Sequence, residues 1–328
     1  MREWNRVKRI IKGLSPVWDL VSAPLVVPAS LLLKAVRSYG VGRLPIVRRV
    51  FWRLGVLPVT DHYYEPFFRR RDLRRSLDRD RDLPGLDLNP EGQLALLKQF
   101  RYDGELVSFP RQGRGYREYY YGNEAFLSGD AEFLYCMIRH FRPKRIIEVG
   151  SGFSTLMALN AVEANRREDG GYSCDIVCVE PYEHSWLKDL PVTLVRERVE
   201  WTDPGIYGEL EENDILFIDS SHVLRPQGDL VFTYLEILPS LREGVLVHIH
   251  DIFTPRDYPE EWIVREIRLW NEQYVLEAFL SNNESFEVVA ALNYLRHRYP
   301  EALCAACPVL AEELADREPG SFWMRKVR

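Results

Sequence analysis

Two apolar stretches of this sequence end in acids and histidines. FIDSSHVLRP, residues 217–226, carries Asp219 at the end of its run and His222 three residues on; VLVHIHD, residues 245–251, closes on His250 and Asp251. If both runs are strands of one parallel sheet, their ends reach a common height and deliver these four groups to one edge. Two aspartates and a histidine form a donor set for a hard or borderline divalent cation, so Asp219, His250 and Asp251 are the candidate metal ligands. His222 falls on the loop beyond its strand, as a further ligand or as a base within reach of a substrate hydroxyl. The ordinary alternatives stay open: a strand-end acid can contact a ligand without metal, and a lone histidine is commonly structural.

A second motif, EVGSGFST at 148–155, follows the apolar run that begins at Arg145. Gly150 and Gly152 permit a sharp turn and a close approach of backbone N–H groups, Ser151 included, to a ligand. A dinucleotide fingerprint wants a third glycine three residues after Gly152, and Thr155 stands there, so that fingerprint fails. The acid before the glycines, Glu148, makes the loop more informative than its glycines alone. The next apolar run ends in Glu180, where a carboxylate is placed to accept hydrogen bonds from both ribose hydroxyls of a nucleoside; its alternative is a helix-capping neighbour, because Pro181 follows.

The elements that must position these groups alternate. RIIEVG, DIVCVEP, VTLVRE, DILFIDS and GVLVHIHD read as short strands, separated by helical segments such as SGFSTLMALNAVEANR, GDLVFTYLEILPSL and EEWIVREIRLWNEQY; SFEVVAA and SFWMRKV are late strand-like runs. Such alternation predicts an α/β fold, a mostly parallel sheet with helices on both faces. At 328 residues, 46% hydrophobic and 28% charged, the chain can bury a sizeable core. A net charge of −6 argues against a general nucleic-acid binder. Five scattered cysteines form no disulfide framework, which points to a reducing, cytoplasmic setting. CAAC at 304–307 has no second such pair, and a metal reading of it is set aside.

Residues 1–115 read as a helical N-terminal accessory region and 116–328 as the catalytic domain. The chain starts MREWNRVKRIIKG, with five basic residues and one acid, and continues into the uncharged LVSAPLVVPASLLL at 20–33. Fourteen residues are too few to span a membrane, and Pro24 and Pro28 spoil a helical signal core. Two readings remain for residues 1–36: a peripheral contact with an anionic membrane surface, or a helical arm packed on the body or on another subunit of a homo-oligomer.

EVGSGFST, VCVEP, DILFIDSSH and the late strands together resemble the class I S-adenosylmethionine-dependent methyltransferases, over about residues 120–328. The resemblance implies a Rossmann-like, doubly wound, mostly parallel seven-stranded sheet. It implies S-adenosyl-L-methionine as cofactor, with Glu148, Gly150, Ser151, Gly152 and Asp219 at its methionine side, Glu180 on its ribose and Asp203 toward its adenine. Asp130, on the helix before the first strand, is placed toward the methionine end. D-x-x-H followed by a strand ending in aspartate is similar to the metal-dependent sugar O-methyltransferases of the macrocin and mycinamicin type and to the related cephalosporin hydroxylase group. That branch implies Asp219 and Asp251 as ligands, His222 as base and a small-molecule or sugar hydroxyl as acceptor. Histidine at 250, where that branch has glutamate, shifts the preference from magnesium toward manganese, iron or zinc. TPRDYPEEW, 254–262, would rim the acceptor pocket through Arg256, Asp257 and Tyr258. A metal-dependent hydroxylase and a non-catalytic cofactor-binding subunit are the competing readings.

Overall fold

The computed structural model describes residues 15–113, 115, 117–182 and 184–328; the basic start of the chain lies outside the described residues. The chain forms two compact units, Met1–Arg74 and Arg75–Arg328.

In the larger unit seven strands form one sheet: β1 (Arg145–Val149), β2 (Asp175–Val179), β3 (Thr193–Val195), β4 (Ile215–Ile218), β5 (Leu246–Ile249), β6 (Phe286–Ala291) and β7 (Phe322–Lys326), in the order β3-β2-β1-β4-β5-β7-β6. β1 to β5 pair in parallel, and β7 runs antiparallel between β5 and β6. The sheet is thus the mostly parallel, doubly wound one that the alternating pattern predicts. Every residue of β4 and of β5 is buried, which is why both read as continuous apolar runs.

Side chains alternate across the sheet, and the core divides accordingly. Ile146, Phe217 and Leu246 face one apolar layer, together with α4 (Asp130–Phe141) and α5 (Phe153–Glu168). Ile147, Leu216, Ile218, Val247 and Ile249 face the other, with α6 (Asp229–Phe232) and its continuation to Ser240, and with α7 (Glu272–Leu280). The helix expected from residue 260 is broken: a π-helical turn (Glu261–Arg265) comes first, and α7 starts only at Glu272.

The larger unit begins upstream of the 115/116 boundary read from the sequence. Arg81 ion-pairs with Glu277 and donates to the carbonyls of Pro255 and Arg256. α3 (Pro90–Leu97) lies along β6, where Gln93 Oε1 accepts from the N–H of Ala291 at 2.8 Å and Asn89 Nδ2 donates to Val288 O at 3.0 Å. These long-range ties were invisible locally because their partners lie almost two hundred residues apart.

The smaller unit contains α1 (Ser15–Tyr39) and α2 (Pro45–Leu54). α1 runs unbroken through Pro24 and Pro28, against the sequence expectation that the prolines interrupt it. Its apolar window, Val17–Tyr39, is long enough to cross a membrane, and none of that window is buried.

The reversal of strand order between β1 and β4 opens a crevice at their carboxyl ends. There Gly150 adopts φ +83°, and a Cβ on it would stand 1.8 Å from the carbonyl oxygen of Asp219. The two site-bearing loops are therefore interlocked backbone to backbone. Gly150→Ala should lower the unfolding free energy by about 2 kcal/mol or more, through both the left-handed backbone and the collision. Denaturant titration checks this; a variant as stable as the parent would mean that the loops are free to separate.

Candidate active site

A cleft of about 310 Å³ opens at the β1/β4 switch, lined by Gly150, Glu180, Tyr182, Arg198, Glu200, Asp219, Ser220 and Asp229 among others. Glu180 hangs over it from the end of β2. Its Oε1 accepts from the N–H of Tyr182 at 2.6 Å and its Oε2 from the N–H of Ser151 at 3.2 Å. Each carboxylate oxygen retains a lone pair for a further donor, which suits a ribose diol. A Cβ on Gly152 would meet nothing within 4 Å, so the loop leaves space beside the cleft. Glycine turn, strand-end acid and open cradle fit an S-adenosylmethionine-sized nucleoside ligand.

Several residues assigned to cofactor binding from the sequence do other work. Glu148 is buried under the loop and accepts from the hydroxyls of Ser154 and Thr155, the latter at 2.6 Å. Burial pushes its carboxyl up to about 7, against those hydrogen bonds. It anchors the start of α5 and does not line the cleft, nor do Ser151 and Gly152, whose part is the turn itself. Asp130 Oδ1 accepts from the N–H groups of Gly320 and Ser321, at 3.0 and 2.7 Å, and so fastens the entry to β7 outside the cleft. Asp203 caps the 3-10 turn Pro204–Glu209 by accepting from Gly205 N–H, and Arg198, Val199 and Glu200 reach the cleft in its place. Of the supposed rim, Tyr258 is fully buried, and Asp257 pairs with Arg75 and Arg81.

Asp219, at the end of β4, joins the cleft to a second group of residues. Ligand atoms of Asp219, His222 and Asp251 lie within 4.8 Å of one another. His222 Nε2 is 3.2 Å from Asp219 Oδ1 and 3.5 Å from Asp251 Oδ2. His250 is not in this group. It is buried, its ring centroid 5.3 Å from that of Phe126, with Nε2 3.6 Å from Asp251. Alternation explains the outcome: the side chain of a residue at the very end of β5 turns into the sheet face, while Asp251 and His222 leave it on loops at φ +59° and +58°. Left-handed backbone is rare for non-glycine residues and needs a surrounding structure that enforces it.

That enforcement comes from three successive residues at the start of α7. Asn271 Oδ1 accepts from Leu224 N–H at 2.7 Å, Gln273 Oε1 accepts from Phe253 N–H at 2.7 Å, and Glu272 Oε2 lies 2.8 Å from His222 Nδ1. Glu272 is wholly buried, and its other oxygen accepts from the Tyr234 hydroxyl at 3.2 Å. The sequence reading missed Glu272. Its only local signal was the run of polar residues NEQ inside an apolar helical pattern. Asp229 was missed too; it holds the loop after β4 by accepting from both the N–H and the hydroxyl of Ser221, each at 2.8 Å.

Burial works against charge on His222, but the hydrogen bonds it donates to Asp219 and Glu272 outweigh that and hold the imidazole well above its ordinary pKa. Asp219 is kept ionised against burial mainly by His222, while burial and the charge of Asp219 push Asp251 up. Glu272 fixes Nδ1 as the donor, so a neutral ring turns the lone pair of Nε2 toward Asp219, and the surrounding carboxylates favour the imidazolium once that nitrogen takes a proton. Glu272→Gln removes one clamp. The His222 ring should then titrate at lower pH, read by NMR of its ring protons, and turnover should fall about tenfold or more. An unchanged titration midpoint would show that Glu272 does not hold the ring's charge.

Residues 147–252 match the family described as a methyltransferase domain. An uncharacterized protein of Archaeoglobus fulgidus is 29% identical over 167 residues, 47% of this chain and 74% of that protein. Among solved structures, the plantazolicin methyltransferase BpumL, determined with S-adenosylhomocysteine, aligns over 73% of this chain and 95% of its own at 12% identity and a TM-score of 0.36. An S-adenosylmethionine-dependent methyltransferase from Archaeoglobus fulgidus aligns over 60% and 94%, at 12% identity and a TM-score of 0.28. The matched segment runs from β1 to just beyond β5 and contains the glycine turn, Glu180, Asp219, His222 and Asp251. The segment that carries the cleft at the switch point of the sheet is thus similar to a methyltransferase domain.

Proposed function

We propose that the protein transfers a methyl group to a hydroxyl of a small molecule or sugar, with His222 as the base. The observation that carries this reading is the His222–Glu272 pair: a buried carboxylate orienting an imidazole whose other nitrogen faces the cleft-lining Asp219. Bound S-adenosylmethionine supplies an electrophilic methyl sulfonium. The protein's own task is to hold the cofactor, align an acceptor oxygen and take its proton. Gly150 and Glu180 hold the nucleoside side. An aliphatic hydroxyl is far too weak an acid to ionise alone at neutral pH, so a positioned proton acceptor is worth about 10²- to 10⁴-fold in rate. Glu272 fixes which nitrogen of His222 points at the acceptor and stabilises the imidazolium that results, as a buried carboxylate does in other oriented bases.

A second reading is favoured by the grouping of Asp219, His222 and Asp251. Two carboxylates and an imidazole suit manganese, iron or zinc, and a carboxylate on the far nitrogen of a ligating histidine is a recurrent support. In that reading His222 is a ligand, and the cation lowers the acceptor's pKa instead.

Calorimetry and turnover separate these. Glu180→Ala should weaken S-adenosylmethionine binding about tenfold or more, from loss of charge-assisted hydrogen bonds. His222→Ala should leave that affinity nearly unchanged while turnover falls about a hundredfold. Insensitivity to EDTA supports His222 as base; loss of activity restored by manganese or zinc supports it as ligand. Absence of binding to either S-adenosylmethionine or its demethylated product would overturn both readings.

A further inference from the structure

We infer that α1 is seated in the hydrocarbon layer of an anionic membrane and tethers the enzyme there. Three observations on the smaller unit meet at this point.

The first is the surface of α1. Val17, Trp18, Leu20, Val21, Val26 and Val27 are all exposed, Leu20 to 78%, and at helical spacing they spread over most of the circumference. A water-facing helix does not carry apolar residues around its circumference, because nothing in water repays their hydration; a lipid-facing one does. Prolines inside a helix are likewise better tolerated in lipid than in water, and α1 holds two.

The second is length and its markers. The uncharged stretch 20–33 is flanked by the exposed aromatics Trp18 and Tyr39. At the helical rise, the 21 steps between them span roughly 32 Å, close to the hydrocarbon thickness of about 30 Å, with the uncharged stretch as its centre and Asp19, Lys34 and Arg37 at its two margins. Aromatic residues gather at the two membrane–water boundaries. At the C-terminal end Lys34 and Arg37, the first cations after the apolar stretch, pair with Asp61 and Glu65, so their charges are answered before the helix meets lipid.

The third is charge. Residues 1–54 contain 11 Lys and Arg against 2 Asp and Glu, in a chain whose net charge is −6. The rest of the protein is therefore strongly acidic, and only this part is attracted to an anionic surface. α2 fits the headgroup layer: Ile46, Val50 and Leu54 share one exposed apolar stripe, and Arg48, Arg49 and Arg53 lie together on another side of the helix. A soluble partner or a second copy would bury the α1 surface equally well. It would not explain the match to bilayer thickness together with a basic excess at both ends of the helix.

The test uses the full chain. Synthesised in the presence of vesicles of phosphatidylcholine and phosphatidylglycerol, it should float with them and resist alkaline carbonate, and its intact mass in cells should retain residues 1–40. Val26→Asp with Leu31→Asp should abolish flotation. Arg48→Glu, Arg49→Glu and Arg53→Glu together should reduce it about fivefold or more, with a smaller loss on phosphatidylcholine alone. Both variants should still bind S-adenosylmethionine as the parent does, which shows the larger unit intact. A full chain that stays soluble as a monomer, one that forms a discrete oligomer with no affinity for vesicles, or one cleaved within the first 40 residues would each overturn the inference.

Discussion

The contact between Gly150 and the carbonyl of Asp219 is the constraint from which the site follows. Two parallel strands, β1 and β4, lie side by side at the point where the sheet reverses its winding, and the loops leaving them would diverge if nothing held them. Glycine at 150 lets the first loop pass against the backbone of the second at a distance that no side chain allows. The carboxyl end of the sheet thereby becomes one continuous edge, with the cofactor cleft on the β2 side and the carboxylate–imidazole cluster on the β5 side. Asp219 belongs to both.

The cluster is costly to build. His222 and Asp251 hold left-handed backbone, and three carboxylates surround one ring with little access to water. Such an arrangement survives only if neighbouring structure over-determines it. Asn271, Glu272 and Gln273 supply that, one tie each to the loop after β4, the imidazole itself and the loop after β5. The late start of α7 has the same origin: the helix begins where its first residues are needed as tethers, and the segment before it becomes a π-helical turn and irregular chain.

The two units differ in where their apolar residues lie. In the larger unit apolar residues alternate into two layers on either side of a sheet, and the buried Glu132 is tied among them by accepting from the N–H groups of Gly129, Val309 and Leu310. In the smaller unit most apolar residues of α1, from Val17 to Leu32, are exposed. The hydrophobic effect explains the first arrangement in water, and it is the reason that the second is inferred to sit in a membrane.

The sequence by itself determined the strands, their mostly parallel order of use, the glycine turn, and the delivery of Glu180, Asp219, His222 and Asp251 to one edge. Those features are local: runs of buried strand residues, a φ that only glycine takes easily, acids at strand ends. It misplaced what depends on direction. His250 differs from Asp251 by one position, and one position is the difference between facing into the sheet and leaving it. Glu148 and Asp130 looked like ligand contacts; Glu148 accepts from the hydroxyls of Ser154 and Thr155, and Asp130 from the backbone of Ser321, almost two hundred residues away. Glu272 was legible only as one of the polar run NEQ, without a role. A buried acid inside a helical pattern acquires its role only from the imidazole that folding brings beside it, and only the tertiary structure decides which one that is.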